Sequence, residues 1–520
     1  MSNENEFVLT APSPSPPRGK SPVRTAANEG AALGFEEQLW KAAEGLRGHV
    51  EPAEYKHIVL GLLFMKYITD NAGIKQKTAR AKAHSSTASF VVPPSAIWSG
   101  LVLAAQDGRA TDALSTAMKD IEASNPSLHG LLTFDVKRID NERFAALMGV
   151  LDNISLDQTA GDSRDLLGRV YEYFLAKFAS SEGRSGGEYY TPRSVVQLLV
   201  EMVQPSSGTL YDPCCGTAGM FVQSARILTE HGGRVGKVAV FGQESSPTTW
   251  RLAKMNLALR GIQADLGPRH ADTFRNDIHP SLKADFILAN PPFNARDWGG
   301  DKLARDPRWQ FGTPPANNAN YAWVQHILSH LKPTGVAGFV LSNGSISSDQ
   351  SGEGQMRQRM VSADVIECIV TLPNQLFYGT QIPACLWFIS PSKTRGGAIG
   401  LANRTLFIDA RSRGHLVDRV HADLSPQDVS EIADVYHRWR AEGRDFQDVP
   451  GFAKAATTDE IRQHKYSLVS GRYVGFARDK TPGFDPKQLA AEIDEARSRL
   501  ADIAAASRRS LSMMEALRRG

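Results

Sequence analysis

The segment with the clearest chemical signal follows the apolar run 284–289 and reads Asn290-Pro291-Pro292-Phe293. Two adjacent prolines fix the backbone without a glycine, which is unusual for an ordinary turn and suits a rigid site. The amide oxygen of Asn290 and the carbonyl of Pro291 could both accept from an exocyclic amine, and Phe293 could stack on the base that carries it. An amine held in this way turns its lone pair toward a methyl donor, so positioning would supply most of the catalysis. The motif therefore predicts methyl transfer to an amino group, with catalytic residues Asn290, Pro291, Pro292 and Phe293.

A second motif is a turn of small residues that follows the apolar run 209–211 and reads Asp212-Pro213-Cys214-Cys215-Gly216-Thr217-Ala218-Gly219. Small residues let a ligand approach the backbone closely, and the helix predicted at 221–228 would present free N–H groups. The turn is not a G-x-G-x-x-G fingerprint. The sequence around Gly236-Lys237 also lacks the full pattern of a phosphate loop, which argues against ATP-driven chemistry. We predict a cofactor-binding turn with contacts from Asp212, Gly216, Thr217, Ala218 and Gly219.

Two acidic residues, Glu244 and Asp272, are candidates for binding a nucleoside. Glu244 follows the apolar run 238–241 and lies 25 residues after Gly219. A carboxylate at the end of such a strand can accept hydrogen bonds from both hydroxyls of a ribose. Asp272 could accept from the amino group of adenine in the same way. Together with the small-residue turn, these two acids predict an adenosine-containing cofactor.

The elements that must position these residues alternate between short apolar runs and helical stretches. This order is typical of an α/β fold with a doubly wound parallel sheet and crossover helices. Ligands collect at the carboxyl ends of such strands, so we expect the polar residues that follow them to share one edge of the sheet. The predicted strands are 209–211, 238–241, 286–289, 336–341, 365–372 and 386–389.

The residues before and after the predicted strands differ from them in composition and in the spacing of apolar residues. Residues 1–34 contain five prolines among small residues and predict a disordered tail. Helical spacing from Phe35 onward, with Pro52 at the start of a second helix running to Tyr67, predicts a helical domain at 35–160. We expect the catalytic domain at 161–400, an extension at 401–480 with a strand at 406–408 and a helix at 429–439, and a tail helix at 481–520.

Composition and charge narrow the class of protein. The chain has 520 residues, of which 42% are hydrophobic and 22% charged, as in ordinary globular proteins. The apolar runs are too short to cross a bilayer and no basic, then apolar, segment opens the chain, so we expect no membrane span, no secretory signal and a cytoplasmic location. Four cysteines without a C-x-x-C pair predict no metal site. The net charge of +3 is weak for a protein that holds nucleic acid alone, so a nucleic-acid substrate would require a partner.

The motifs resemble those of amino-group DNA methyltransferases that use S-adenosyl-L-methionine (AdoMet). More closely, the chain is similar to the modification (M) subunit of Type I restriction–modification systems, which methylates adenine at N6. The resemblance implies an AdoMet-dependent methyltransferase fold with a Rossmann-like sheet, a helical N-terminal domain and a helical tail. It covers roughly residues 35–475 and rests also on the segments 35–43 and 53–57, Gly187-Glu188-Tyr189-Tyr190-Thr191-Pro192-Arg193, and Gly471-Arg472-Tyr473-Val474-Gly475.

The resemblance implies further cofactor contacts in a segment that precedes the small-residue turn. Thr191 fits the N-cap of a helix and Pro192 its first residue, so the amino end of that helix could hold the AdoMet carboxylate. Ala218 stands where many relatives have glycine, which costs little if its φ is negative. The contacts that carry over are Glu188, Tyr189, Tyr190, Thr191, Pro192 and Arg193, together with Thr217, Ala218, Gly219 and Glu244.

The resemblance also implies partners. M subunits of this family act on double-stranded DNA together with a specificity (S) subunit that reads a bipartite target, typically with two M per S, and a restriction (R) subunit can join. We expect the tail helix from about Pro486 to contact S. The subunit would protect host DNA from the cognate restriction activity, while the isolated chain would bind DNA weakly.

Several alternatives stay open on the sequence alone. Methylation of cytosine at N4 shares the chemistry of an amine lone pair, and Asn-Pro-Pro-aromatic turns also serve methylation of protein glutamine or RNA. Cytosine C5 methylation needs a cysteine nucleophile, but the one Pro-Cys pair, Pro213-Cys214, lies inside the predicted cofactor turn. A stand-alone DNA amino-methyltransferase and a non-catalytic AdoMet-binding assembly subunit are two further alternatives.

Overall fold

The computed structural model describes most of the chain after residue 190 and parts of the region before it. The predicted disordered tail 1–34 and Glu188, Tyr189 and Tyr190 lie outside the described residues. Of the predicted tail helix, Glu495 and Ser498 are described, and both are helical. The described residues are 40, 41, 44, 52–78, 90–132, 136, 141–152, 171, 173, 174, 191–230, 238–377, 382–394, 397–419, 421–475, 495 and 498.

The region before the sheet is helical where it is described, as the sequence predicts. Its helices are α1 (Pro52–Thr78), α2 (Trp98–Gln106), α3 (Ala110–Ser124) and α4 (Asn141–Asp152). Helix α1 begins with Pro52, whose missing N–H would have no partner in a first turn, and the apolar run from Ile58 to Met65 is buried. The predicted helix from Pro52 is therefore confirmed and extends beyond Tyr67 to Thr78.

The described residues after 190 form one nine-stranded sheet and a separate two-stranded ribbon. The strands of the sheet are β1 (Gly208–Asp212), β2 (Val238–Gly242), β3 (Ala264–Asp265), β4 (Ala284–Ala289), β5 (Leu331–Ser342), β6 (Ile366–Thr371), β7 (Ala384–Ile389), β8 (Arg404–Asp409) and β11 (Ala453–Thr457), with β9 (His415–Leu416) and β10 (Ala422–Asp423) in the ribbon. Their order across the sheet is β11-β8-β6-β7-β5-β4-β1-β2-β3. All six predicted strands are confirmed.

The sheet contains both parallel and antiparallel strands, which corrects the prediction of a parallel sheet. Strands β1 to β5 run parallel, but β7 runs antiparallel to both of its neighbours, β5 and β6. The physical reason is the connection: the described residues between β6 and β7 form no crossover helix, so the chain returns antiparallel, as in a hairpin. Strands β6 and β7 are buried along their whole length, because both faces of the sheet are covered.

Helices cover the sheet, and the last part of the chain extends it. These helices are α5 (Arg193–Val203), α6 (Gly219–Glu230), α7 (Pro247–Leu259), α8 (Asn320–Ser329), α9 (Glu353–Ser362), α10 (Pro426–Glu442) and α11 (Thr458–Gln463). Strands β8 and β11 belong to the predicted extension 401–480, yet both pair into the central sheet. Helix α10 of that segment packs on α5, and α1 of the N-terminal region packs on α7.

The topology creates one crevice where the order of strands reverses. Strand β1 pairs with β2 on one side and with β4 on the other, through Leu210–Phe286 and Tyr211–Ile287. Ligands of doubly wound sheets bind outside the carboxyl ends of the strands at such a reversal. None of the helices in the described part of the chain is long and apolar enough to cross a membrane.

Candidate active site

The carboxyl ends of β1 and β4 bring two of the predicted motifs side by side. Asp212 is the last residue of β1 and opens the small-residue turn, while Asn290 directly follows β4. These two strands are neighbours in the sheet although Asp212 and Asn290 are far apart along the chain. The shared edge that the sequence predicts therefore exists for these two residues.

The side chain of Asn290 is held by a hydrogen bond that the sequence does not reveal. Its Nδ2 donates to Oγ1 of Thr191 at 2.8 Å. Its Oδ1 is buried and has no hydrogen-bond partner among the described residues. A buried acceptor without a partner costs about 1–3 kcal/mol, which a ligand donor would recover. Asn290 therefore presents an acceptor for a donor that a substrate would bring.

Thr191 does not cap the helix that follows it, which corrects the sequence prediction. Helix α5 begins at Arg193, and its N-cap position is Pro192, which has no side chain able to cap. The hydroxyl of Thr191 instead accepts from Asn290. The prediction was wrong because a threonine before a helix can equally serve a distant side chain, and a local pattern does not show the distant partner.

Most of the predicted cofactor residues that the structure describes line one cavity. Its volume is about 70 Å³, so it would hold one end of a ligand as large as a nucleoside. Asn290 lines this cavity as well, which connects the two motifs. The predicted cofactor residues in its lining are Thr191, Arg193, Asp212, Gly216, Thr217 and Gly219.

Two polar residues in the same cavity were not predicted. Gln223 lies one helical turn after Gly219 on α6, and Asn256 lies on α7, where its Nδ2 donates to the carbonyl of Thr217 at 2.7 Å. The spacing from Gly219 could have indicated Gln223, because residues four apart share a helix face. No local pattern indicates Asn256, since α7 reaches the turn only through the packing of the sheet.

The small-residue turn is strained at Ala218. This residue is fully buried and has a φ of +65°. The substitution of glycine by alanine would cost little only at a negative φ, so it is unfavourable here. A left-handed conformation costs an L-residue with a Cβ roughly 1–2 kcal/mol. Gly216, at +54°, adopts the same region without that cost. The turn therefore stores conformational energy at the residue that precedes α6.

Glu244 ties the small-residue turn to the next helix. Its Oε2 accepts from the backbone N–H of Gly216 at 3.1 Å, and its Oε1 accepts from that of Ser246, the N-cap of α7, at 2.7 Å. The hydroxyl of Ser245 also donates to Oε1, at 3.4 Å, so this carboxylate holds three groups of the turn and the following loop. Glu244 does not line the cavity but fixes the backbone of Gly216, which does.

Asp272 lies in a loop that is hydrogen-bonded to the small-residue turn. Its Oδ1 accepts from the backbone N–H groups of Phe274 at 2.9 Å and Arg275 at 3.0 Å. The adjacent Thr273 donates to the carbonyl of Pro213 in the small-residue turn. Asp272 itself is not in the lining of the cavity, so the structure brings it near the cofactor turn without joining it to the other predicted contacts.

Arg308 also fixes this loop, and no motif of the sequence indicated this residue. Its guanidinium donates to the carbonyls of Thr273 at 3.1 Å and Phe274 at 2.7 Å. The carboxylate of Asp306, two residues earlier, orients the guanidinium through bonds of 2.7 and 2.8 Å. A planar guanidinium can bind several acceptors at once, so Arg308 holds the loop in one conformation.

The carboxyl group of Asp212 is buried and its pKa is raised to about 7. Loss of hydration by burial is the main cause, and the nearby carboxylate of Glu244 adds to it. A hydrogen bond from the backbone N–H of Cys214, at 3.0 Å, acts in the opposite direction. A buried carboxyl of this kind favours a cationic ligand, because a positive charge would stabilise its ionised form.

Phe293 lies against a second aromatic residue that the sequence did not indicate. The ring centroids of Phe293 and Phe377 are 5.8 Å apart with the planes at 72°, and both side chains are buried. Phe377 follows β6, whereas Phe293 follows β4. Two rings at the same edge of the sheet offer stacking surfaces, and a base could enter between them if they part. Pro291 is buried and Pro292 half-buried in the same segment.

A further cluster brings Asp277, His326 and His330 within metal-ligand distance of one another. His330 contacts the carbonyl of Leu282 at 3.0 Å and the carboxylate of Asp277 at 2.9 Å, so both ring nitrogens already face acceptors. Nδ1 of His326 lies 3.0 Å from an N–H of Arg308, which assigns the ring proton to the other nitrogen. Burial lowers the pKa of His326 well below its usual value. These contacts favour a hydrogen-bonded network over a metal centre.

The comparisons with known proteins agree with the resemblance seen in the sequence. Residues 162–481 match the family described as N-6 DNA Methylase, and residues 35–154 match the HsdM N-terminal domain. The methylase subunit of the Type I restriction enzyme HindI from Haemophilus influenzae is 47% identical over 321 residues, covering 62% of this chain and 71% of that protein. The methylase subunit of the Type I enzyme MjaIX from Methanocaldococcus jannaschii is 32% identical over 475 residues, covering 85% of this chain and 84% of that one.

The fold is also similar to that of a solved protein. The crystal structure of a Type I restriction–modification methyltransferase subunit from Streptococcus thermophilus superimposes with a TM-score of 0.71 at 24% identity, covering 85% of this chain and 99% of that one. The expected α/β methyltransferase fold is thereby confirmed. The family matches together span both the helical region and the sheet, so the chain belongs to the N-6 DNA methylase family, among the methylase subunits of Type I restriction enzymes.

Proposed function

We propose that this chain transfers a methyl group from AdoMet to N6 of adenine in double-stranded DNA, as the M subunit of a Type I restriction–modification complex. The observation that carries the proposal is the side chain of Asn290. Its amide nitrogen is held by Thr191 at 2.8 Å, and its buried oxygen has no partner among the described residues. An adenine amino group supplies the donor that this oxygen lacks.

The residues of the cavity support a cofactor with both positive and negative groups. AdoMet, when bound, supplies an electrophilic methyl group on a cationic sulfur. Asp212 offers a buried carboxyl for positive charge, and Arg193 at the start of α5 offers positive charge for a carboxylate. Thr217 and Gly219 let the backbone approach the ligand, while Glu244 and Asp272 are the proposed acceptors for its ribose and adenine. Glu188, Tyr189 and Tyr190 complete the proposed contacts.

The proposed reaction depends on positioning rather than on a covalent intermediate. The target adenine leaves the base stack, and its N6 hydrogens are accepted by Asn290 Oδ1 and the carbonyl of Pro291. Phe293 and Phe377 part and stack on the base, and Pro292 keeps the backbone rigid. The N6 lone pair forms the new N–C bond as the C–S bond breaks, and the surplus N6 proton is lost to water, because the amide and carbonyl oxygens orient the amine but are too weakly basic to take the proton.

The weak net charge and the family imply partners for this activity. A charge of +3 gives little attraction to DNA phosphates by itself, so we assign target reading and part of the DNA grip to an S subunit. Two M subunits per S, a contact between S and the segment 486–520, and an R subunit that can join are further parts of the proposal. With DNA as the substrate, we expect the working complex in the cytoplasm.

Replacement of Asn290 by alanine tests the proposal. The M subunit is purified with its S subunit, and transfer of labelled methyl groups to target DNA is measured beside the binding of AdoMet. We expect Asn290→Ala to bind AdoMet as the wild type does and to lose methylation by roughly a hundredfold or more, because the amine would no longer be oriented. A variant that binds AdoMet and methylates at the normal rate contradicts the proposal. A wild-type complex that methylates cytosine instead favours the N4-cytosine alternative.

A further inference from the structure

A second cavity opens directly beyond the Asn290–Phe293 motif. Its volume is about 420 Å³, within the roughly 300–1,000 Å³ of ordinary ligand pockets. Asn294, the residue that follows Phe293, lines this cavity, whereas Asn290 lines the cofactor cavity. The motif therefore lies between two cavities, and the proposed methyl transfer assigns no role to the second.

The walls of the second cavity are held by hydrogen bonds of the protein itself. Asn320 is 1% exposed; its Oδ1 accepts from the backbone N–H of Asn294 at 3.0 Å, and its Nδ2 donates to the side-chain oxygen of Asn294 at 2.9 Å. Ser342 donates to that oxygen as well, at 3.1 Å. Elsewhere in the lining, the carbonyl of Ser348 accepts from the buried guanidinium of Arg357 at 2.7 Å. The cavity is therefore shaped before any ligand arrives.

A buried carboxyl group contributes to this lining. Glu353, the first residue of α9, is 3% exposed, and its Oε1 has no hydrogen-bond partner among the described residues. Burial raises the pKa of Glu353, while a hydrogen bond with Ser348 and the charge of Arg357 lower it. A buried acceptor without a partner is costly unless a ligand supplies an N–H or O–H group. The second cavity therefore offers an unused acceptor, as Asn290 does in the first.

The chemistry of the lining favours a nucleobase over other ligands. Amide side chains combine a donor and an acceptor, as the edges of bases do, and can therefore pair with them. The carboxyl of Glu353 opposes a bare phosphate, and the polar walls oppose an apolar ligand. Arg296 is exposed in the lining and can pair with a phosphate attached to the base. Asn317 and Gln350 carry such amides in the lining. The side chains of Asn294 and Asn320 bond to each other, and Oδ1 of Asn318 accepts from the backbone N–H of Asn320, so these amides shape the wall.

We propose that the second cavity binds the nucleotide adjacent to the methylated adenine on the same DNA strand. Glu353 accepts from an N–H group of its base, and Arg296 pairs with its phosphate. Asn294 directly follows Phe293 in the chain and lines the second cavity, and neighbouring nucleotides of one DNA strand are joined by a single phosphodiester linkage. A strand with its adenine at Phe293 therefore carries the next nucleotide to Asn294. This inference rests on the proposed function.

The test compares Glu353→Gln with the wild type, each purified in complex with the S subunit, on three DNA duplexes. One duplex is intact, and the other two carry an abasic nucleotide immediately 5′ or 3′ of the target adenine. We expect Glu353→Gln to lower kcat/KM on intact DNA by about tenfold, because the amide oxygen keeps the hydrogen bond with Ser348 and the amide N–H groups then face the base in place of an acceptor. At one of the two positions the abasic nucleotide should abolish that difference between variant and wild type, because the base that Glu353 binds is then missing. Gln350→Ala, which removes another amide of the lining, should behave in the same way.

The controls separate this inference from its alternatives. Gln355→Ala changes an exposed residue of α9 outside the cavity and should leave kcat/KM unchanged on all three duplexes. The inference is overturned if the effect of Glu353→Gln is equal on all three duplexes, if it is absent on intact DNA, or if the variant loses AdoMet binding instead. If Glu353→Gln does not fold, Asn317→Ala and Gln350→Ala decide by the same criteria. A wild-type complex that methylates no adenine refutes the proposed function itself, whereas methylation without this coupling refutes the second-cavity inference alone.

Discussion

Asn290 and Thr191 are joined by a 2.8 Å hydrogen bond between their side chains, although they lie 99 positions apart in the chain. The bond fixes the amide nitrogen of Asn290 and thereby directs its oxygen, the proposed acceptor for the adenine amine. Thr191 would accordingly act through Asn290, as a positioning residue.

Replacing Thr191 by valine should slow methyl transfer by roughly five- to tenfold, because the loss of one hydrogen bond of about 1 kcal/mol lets the amide rotate. Thr191→Ser keeps the hydroxyl and should restore most of the rate. The measurement is single-turnover methylation with saturating AdoMet, so that a change in cofactor affinity does not contribute. Equal rates for the valine and serine variants would show that the bond has no role in positioning.

The strain at Ala218 predicts that glycine stabilises the protein at this position. Glycine removes roughly 1–2 kcal/mol of left-handed strain but adds about 0.4–1 kcal/mol of entropy to the unfolded chain. We therefore expect Ala218→Gly to raise the free energy of unfolding by about 0.5–1 kcal/mol in urea titrations. Ala225→Gly, in the interior of α6, is the matched control and should lower it by a similar amount. The same sign of change for both variants would contradict the explanation.

The raised pKa of Asp212 predicts a specific dependence of stability on pH. Its folded pKa of about 7 exceeds the ordinary value of 3.8, so the folded protein binds more protons than the unfolded chain between these values. Stability from this group is therefore fully present below about pH 4 and is lost as the pH rises to 7. Asp212→Asn should be more stable than the wild type at about pH 8, and the difference should shrink toward about pH 4. Urea unfolding at several pH values measures this difference.

The same substitution should weaken AdoMet binding at about pH 8, because the asparagine cannot ionise to pair with a cationic group. Isothermal titration with AdoMet checks this second effect. If Asp212→Asn binds AdoMet as tightly as the wild type, Asp212 is a structural residue of the turn and its proposed role as a cofactor contact is wrong.

Arg308 should control cofactor affinity through the loop that carries Asp272. Arg308→Ala removes the bonds to the carbonyls of Thr273 and Phe274, so the loop would lose its single conformation. We expect the dissociation constant for AdoMet to rise by about tenfold, as for the loss of roughly 1.4 kcal/mol. Arg305→Ala removes an exposed charge from the same segment and is the control for net charge. Equal affinities of the two variants would exclude the proposed positioning.

The sequence by itself determined the parts of this protein that depend on local patterns. Apolar runs bounded by turn residues identified the six strands, and the helix from Pro52 follows from residue spacing and the preference of proline for a first turn. The motifs at 212–219 after β1 and at 290–293 after β4 were recognisable because such combinations of small, polar and aromatic residues directly after a strand are rare. Their adjacency also followed, because the carboxyl ends of parallel strands meet at one edge.

Tertiary structure decided the features that depend on distant residues. The role of Thr191, the contact between Phe293 and Phe377, the antiparallel direction of β7 and the loop held by Arg308 all join segments far apart in the chain. Residue spacing encodes the period of a helix or strand, but it does not encode how connections bring those elements together. The positive φ of Ala218 belongs to the same class, because the packing of the turn against its surroundings over-determines a conformation that alanine alone disfavours.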